Sequence, residues 1–303
     1  MASRTEPVPF NYMSARDTFQ RVRDHTWNLF LSHAHRVEAP TWQGSDVSRR
    51  PEMVSYELMN YTFTHKLRGI EDLQHYRDDI KPNLPWADDH FNERVCGKPI
   101  NPGVEWANWP WGSNAEKFLD ATGKFNHNYM ERYWPKYAGN LPRPTQTAEE
   151  WKQEASEYGL TPELDYQCGI RNPYGDLDDL VYSLARNPLS RQEWFPIFYP
   201  EDVGEVAGGR KPCSLGYQFW VRGNELHIYY PLRSCDFFRH MQDDIYLTIR
   251  LMLWVLDQCR DCCQNHPDIG DWDSIVPGTF TMHCTSLHVF ANDMVAMQQE
   301  GPR

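Results

Sequence analysis

The sequence has no run approaching eighteen apolar residues, no apolar run longer than a few residues in its first thirty positions, no heptad or three-residue period and no excess of basic charge. The first two absences argue against a membrane span and a secretory signal. The third removes coiled-coil and collagen-like readings, and an aromatic content of 14% removes a wholly disordered one. Thirty Lys and Arg against 42 Asp and Glu leave a formal charge of −12, a poor balance for gripping nucleic acid. A local basic pocket for a small anion stays compatible with it. What is present is 303 residues, 40% of them hydrophobic, enough for a sizeable core. The expectation is a cytoplasmic globular protein that binds neither membrane nor nucleic acid.

Eight cysteines stand at Cys96, Cys168, Cys213, Cys235, Cys259, Cys262, Cys263 and Cys284. Without a secretory context they are expected reduced and mostly buried. Cys259-x-x-Cys262-Cys263 with His266 looks like half a zinc site, but Cys284 and His283 supply no second ligand pair. Packing is the preferred reading, and no metal is expected.

Periodicity predicts a helix over Ala15 to Leu31, a strand within Val54 to Leu67 and a short helix from Ala87 to Val95. Residues 1–45 are read as that first helix and a loop, and 140–165 as an exposed polar insertion. Asp176 to Ala185 is an amphipathic helix stopped at Asn187-Pro188. Leu215 to Val221 and Leu226 to Tyr230 form a hairpin about Arg222-Gly223-Asn224-Glu225. Asp244 to Cys259 is a helix buried on nearly every side, and Thr279 to Phe290 is a closing strand. Helices mixed with hairpins give one α+β domain over 1–303 with a mixed or mainly antiparallel sheet.

Polar residues within 213–244 lie where a core would not ask for them. Pro212-Cys213 begins a strand, Gln218 follows, Arg233, Ser234 and Asp236 end the next strand, and Asp243 and Asp244 open the buried helix. Pro212-Cys213-Ser214 with Gln218-Phe219, Tyr230-Pro231-Leu232-Arg233-Ser234-Cys235-Asp236 and His288-Val289-Phe290-Ala291-Asn292 occur in that order. Asn187-Pro188-Leu189-Ser190-Arg191-Gln192 and the segment Phe125 to Trp134 lie upstream. Together these motifs resemble the thymidylate synthase and pyrimidine hydroxymethylase family, over residues 45–292 and most clearly after 176.

The resemblance implies a mixed sheet packed with helices, a sheet face at the interface of a homodimer, and 5,10-methylenetetrahydrofolate as co-substrate. It implies a pyrimidine nucleoside monophosphate as substrate, attacked at C6 by Cys213. A thiolate beside arginine suits that step, because C5 becomes nucleophilic only after addition at C6. Arg233 and Ser234 are then phosphate ligands, joined by Arg191 from a partner subunit and by Arg49 or Arg50 on a closing loop. His288 is expected at the sugar, Tyr129 near the nucleophile, Gln218 at the substrate and Asp236 at the pterin of the folate.

Four departures accompany the match: Gln192 for an arginine, Ser214 for a histidine, His240 for a glycine and Phe290 for a tyrosine. The most informative position is Asp244, where a thymidylate synthase has the asparagine that reads uracil. A carboxylate accepts from the amino group of cytosine and, with a shared proton, supports its N3. The competing reading is an N-cap for the helix that Asp244 opens. Glu57 and Glu93 compete as the acid–base residue, and the 36 positions between Glu93 and Tyr129 favour Glu93. The chain runs 13 residues past Phe290, short of the family's closing tail, so an open site that admits water is expected. The sequence reading is therefore a dCMP 5-hydroxymethylase in which water captures the one-carbon unit. CMP as substrate, hydride transfer to give a methyl product and a non-catalytic nucleotide binder are the alternatives.

Overall fold

A computed structural model describes residues 18–42, 45–108, 128–135, 175–203, 211–266 and 270–301, with 119, 121, 123–125 and 153 between them. The insertion expected at 140–165 lies outside the described residues, apart from 153.

Helix α1 (Phe19–His33) starts where the Thr18 hydroxyl accepts the Arg21 amide, and it buries Phe19, Val22, Trp27, Leu29 and Phe30. Where a loop is expected beyond it, strand β1 (His35–Val37) and a ribbon of β2 (Thr41–Trp42) and β3 (Ser45–Asp46) occur. Strand β4 (Ser55–Lys66) matches the strand read from its β-forming residues. Helices α2 (Leu73–Ile80), α3 (Trp86–Arg94), α4 (Val104–Ala107) and α5 (Tyr129–Tyr133) follow. Helix α6 (Leu177–Arg186) opens on a capping box between Asp176 and Asp179 and buries the apolar stripe Leu177, Leu180, Val181 and Leu184.

Strands β5 (Trp194–Pro196), β6 (Gly216–Arg222), β7 (Glu225–Asp236) and β8 (Val276–Phe290) complete the sheet with β1 and β4. The order is β1-β4-β8-β7-β6-β5. All neighbours are antiparallel except β7 and β8, so the sheet is mixed. That parallel pair requires a long crossover, and helix α7 (Met241–Asn265) supplies it. The crossover is longer than the helix read from the sequence, and β7 runs six residues beyond the expected Tyr230 to reach Asp236. The chain does not close on β8: helix α8 (Ala291–Glu300) follows it, with Met294 and Met297 buried.

The core lies between the sheet and α7, α6 and α1, and Trp27, Trp134, Trp272, Tyr61 and Phe63 are among its largest fully buried side chains. Cys259 packs its sulfur on the Val181 carbonyl, and the Cys263 sulfur lies 2.8 Å from the Gly270 carbonyl. Among the described residues no three His, Cys, Asp or Glu side chains gather as metal ligands, and no helix is long and apolar enough to cross a membrane.

Candidate active site

Period-two alternation delivers one wall of the site. In the parallel register Ser234 pairs with Ser286 and Asp236 with His288, while Glu57 on β4 stands opposite His288 from the other side. Alternation sends these side chains to one face, and their odd-numbered neighbours Cys235 and Leu287 go to the core. The face lines a cleft of about 550 Å³ that also includes Lys211, Cys213, Arg233, Asp244, Tyr129 and Phe290.

Cys213 reaches the cleft just before β6. The Arg233 backbone N–H donates to the Cys213 carbonyl at 2.9 Å, which ties the nucleophile candidate to β7. The guanidinium folds back over the same turn: Nε donates to the Pro212 carbonyl and an Nη to that of Lys211, both at 2.8 Å. The same Nη lies 3.9 Å from the Cys213 sulfur, a contact that favours ionised sulfur. Ser234 Oγ sits 3.3 Å from His288 Nδ1, and burial pushes the His288 imidazole toward its neutral form. The Glu57 carboxylate accepts from the hydroxyls of Ser55 and Ser286, both at 2.9 Å.

The floor is built by helices. Tyr129 begins α5, which is held by a buried ion pair: Arg132 donates twice to Asp202 at 2.7 Å and once to the Ile197 carbonyl. Asp244 is in the first turn of α7, and its carboxyl receives the Cys235 thiol at 3.4 Å. Burial raises its pKa to about 7, and the nearby Arg94 charge pulls in the opposite direction. Asp236 is likewise raised to about 7 by burial, although the amides of Phe238 and Arg239 donate to it.

The capping alternative for Asp244 does not hold. His240 is the N-cap of α7, and it makes no side-chain cap bond. Asp243 does not cap that helix either. Its carboxylate takes the backbone N–H and the side-chain amide of Asn83, at 2.8 and 2.7 Å, and so anchors the approach to α3. Asp244 is left facing the cleft.

Five expected site residues lie elsewhere. Glu93 does not line the cleft; its carboxylate faces His90 Nδ1 at 3.5 Å and accepts the Glu105 amide, while Glu57 does line it. Gln218 donates to the Arg191 carbonyl and is drawn to the edge of the sheet. Arg49 and Arg50 line an adjoining hollow shared through Ala39, Val47 and Met53, with Arg50 paired to Glu52. Arg191 is exposed and does not line its own chain's cleft.

Three side chains that the sequence reading passed over do line the cleft: Trp86, His90 and Arg94 on α3. His90 stacks on Trp86 at 5.0 Å between centroids, and its Nε2 accepts from Arg94 Nε at 2.8 Å. A guanidinium only donates, so His90 is neutral with its proton on Nδ1, facing Glu93. Burial first, and then the Arg94 charge, depress its pKa well below the ordinary value. The spacing of positions 90, 93 and 94 on one helix face was the available signal.

Comparison with known proteins agrees with this geometry. The family model described as "Thymidylate synthase" matches residues 105–301. The chain is 27% identical to a protein of Methanosarcina barkeri over 193 residues, covering 60% of this chain and 77% of that one. It is 25% identical to a protein of Methanosarcina mazei over 193 residues, with the same shares. Both carry the name "Putative thymidylate synthase". The matched span covers more than half of the chain, which belongs to the thymidylate synthase family of nucleotide one-carbon transferases. The family activity is folate-dependent one-carbon transfer to C5 of a pyrimidine nucleotide. Arg49, Arg50, Glu57, Glu93 and Arg94 all precede the matched span.

Proposed function

We propose that the protein transfers a hydroxymethyl group to C5 of a cytosine nucleoside monophosphate, with dCMP the leading substrate. The observation that carries this reading is Asp244, a half-buried carboxyl on the floor of the cleft that Cys213 also lines. It accepts from the N4 amino group of cytosine, whereas the O4 of uracil would face it acceptor to acceptor. Its pKa near 7 leaves it able to take the ionised, accepting form around neutral pH.

Cys213 adds to C6 with Arg233 beside its sulfur. Arg233, Ser234 and Lys211 form the phosphate end, with Arg191 contributed across the interface of a homodimer, and His288 holds the sugar. Tyr129 borders the nucleophile. Glu57 is the acid–base carboxylate with direct access to the cleft, and Glu93 reaches it only through His90. The co-substrate 5,10-methylenetetrahydrofolate fits on two observations. Asp236 offers a buried carboxyl to a pterin, and Trp86 and Leu247 are among the apolar residues that line the cleft. When bound, the folate supplies the one-carbon unit; no metal takes part.

The test is tritium release from C5-labelled dCMP, CMP and dUMP in the presence of methylenetetrahydrofolate, with the mass of each product. Release from dCMP with a gain of one CH₂O unit supports the proposal. Preference for CMP moves the substrate to the ribonucleotide, an alternative kept open because Phe290 beside His288 alters the sugar region. Formation of dihydrofolate signals a methyl product. No release from any of the three leaves a nucleotide-binding protein without turnover.

A further inference from the structure

Arg94 is the least expected group in the cleft. Only 5% of the residue is exposed, on a helix whose neighbouring positions Ala87 and Phe91 pack into the core. An unpaired buried charge is costly, so its partners call for a full account. Nε is spent on His90 Nε2. One face of the guanidinium lies over the Tyr129 ring, 4.2 Å from its centroid. Neither terminal nitrogen has a hydrogen-bond or ion-pair partner among the described residues, and neither is sealed away from the cleft. Glu93 faces His90 from behind and fixes the tautomer that accepts from Arg94. The fork is therefore held at its root and open at its tip. Arg94 and Asp244 line the same cleft, and Arg94 is the leading positive charge acting on Asp244.

The Watson–Crick edge of a pyrimidine completes this arrangement. Cytosine presents a donor at N4 and acceptors at N3 and O2. A carboxylate next to a guanidinium fork presents an acceptor followed by two donors, which is the complementary order. Uracil presents acceptor, donor and acceptor, and so mismatches the pair at both O4 and N3. The same fork meets the charge of the reaction. When a thiolate adds to C6 of cytosine, the electron pair displaced toward C5 delocalises through C4 and N3 to O2, and a fixed cation there stabilises it without reorganising.

We propose that Arg94 is a direct substrate ligand whose terminal nitrogens donate to N3 and O2 of cytosine, and that Asp244 and Arg94 together read the base. This rests on the cytosine reading above and adds a second residue to it. Glu93 and His90 then act as positioning residues that hold the fork.

The experiment measures equilibrium binding of dCMP, its 2-thio analogue and dUMP to the full chain and to Arg94→Met, with ribose 5-phosphate as a base-free probe. The native protein loses between about tenfold and a hundredfold in affinity when sulfur replaces O2, because a charged hydrogen bond is weakened. Arg94→Met loses a similar factor for dCMP and shows little further loss for the 2-thio analogue, while ribose 5-phosphate binds unchanged. Arg94→Lys keeps the charge without the fork, gives an intermediate loss, and carries the test if the methionine variant does not fold. If native protein prefers dCMP but the Arg94 variants discriminate oxygen from sulfur as it does, the ligand role of Arg94 is overturned and the cytosine reading stands. If native protein prefers dUMP, the cytosine reading falls and the base-reading pair falls with it.

Discussion

The two sides of the cleft are assembled on different scales of the chain. The nucleophile wall comes from adjacent strands: Cys213 precedes β6, Arg233 and Ser234 end β7, and one backbone hydrogen bond joins the turn to the strand. The floor joins α3 to α7, and its anchor, the Asn83–Asp243 pair, spans 160 positions. Strand alternation aims the wall's side chains, so their order in the sequence already implies their grouping. The floor depends on where two helices dock, which no local pattern announces. Under the proposed function the wall carries the generic chemistry, and the floor is where substrate choice would be made.

Substitutions on the two sides should separate along that line. Cys213→Ser is expected to have the largest effect, lowering C5 tritium release by roughly 10³-fold or more while dCMP still binds. Turnover close to native would show that the wall does not carry the nucleophile. Asp244→Asn should act differently, reducing turnover of dCMP by roughly 10²-fold and bringing dUMP to parity or better. Equal losses on both nucleotides would mean that the floor does not read the base. Arg233→Lys is a smaller change on the wall. It removes a planar fork but keeps the charge, and it should weaken binding of every nucleotide about tenfold without altering the order of preference.

This division also explains what could be read from the sequence. The order Cys213, Arg233, Ser234, Asp236, with the spacing to Asp244, marked the nucleophile wall because hairpin geometry is local. Helices α1, α3, α6 and α7 and strands β4, β6 and β8 were visible in their periodicity. Beyond Tyr230, β7 was missed because Pro231 cannot donate to the ladder and reads as a terminator, whereas the pairing with β8 carries the strand to Asp236. Glu93 was chosen over Glu57 by counting along the chain. Counting does not say which side of α3 faces the cleft, and on that helix it is His90 and Arg94 that do. Burying an arginine offends the usual apolar pattern, so nothing in the sequence singles out Arg94.

Stability gives a further handle on the positioning of Tyr129. The Arg132–Asp202 pair is almost fully buried, with side-chain exposures of 8% and 4%, and its loss would strand a charge beneath α5. Asp202→Asn is expected to cost about 3–5 kcal/mol in denaturant unfolding, with activity falling as Tyr129 loses its support. A cost below about 1 kcal/mol would show that the pair is not needed to hold the helix.

The smallest expected effect is the response to pH, and it falls on the floor. Burial raises Asp244 to about 7 and Asp243 to about 6 from an ordinary 3.8, and raises Asp236 to about 7. Between about pH 4 and 7 the folded protein therefore holds protons that the unfolded chain has released, so stability falls as pH rises through that window. Removing the ionisable group at one position removes its share of the fall. Asp244→Asn should match the native protein near pH 3, where the aspartate is protonated in both the folded and the unfolded state, and exceed it by a margin that widens as pH rises toward 8. Thermal or denaturant unfolding at the two pH values measures this directly. Native and variant curves that stay parallel would mean that Asp244 ionises freely in the empty cleft, and that Arg94 already balances its charge before any base arrives.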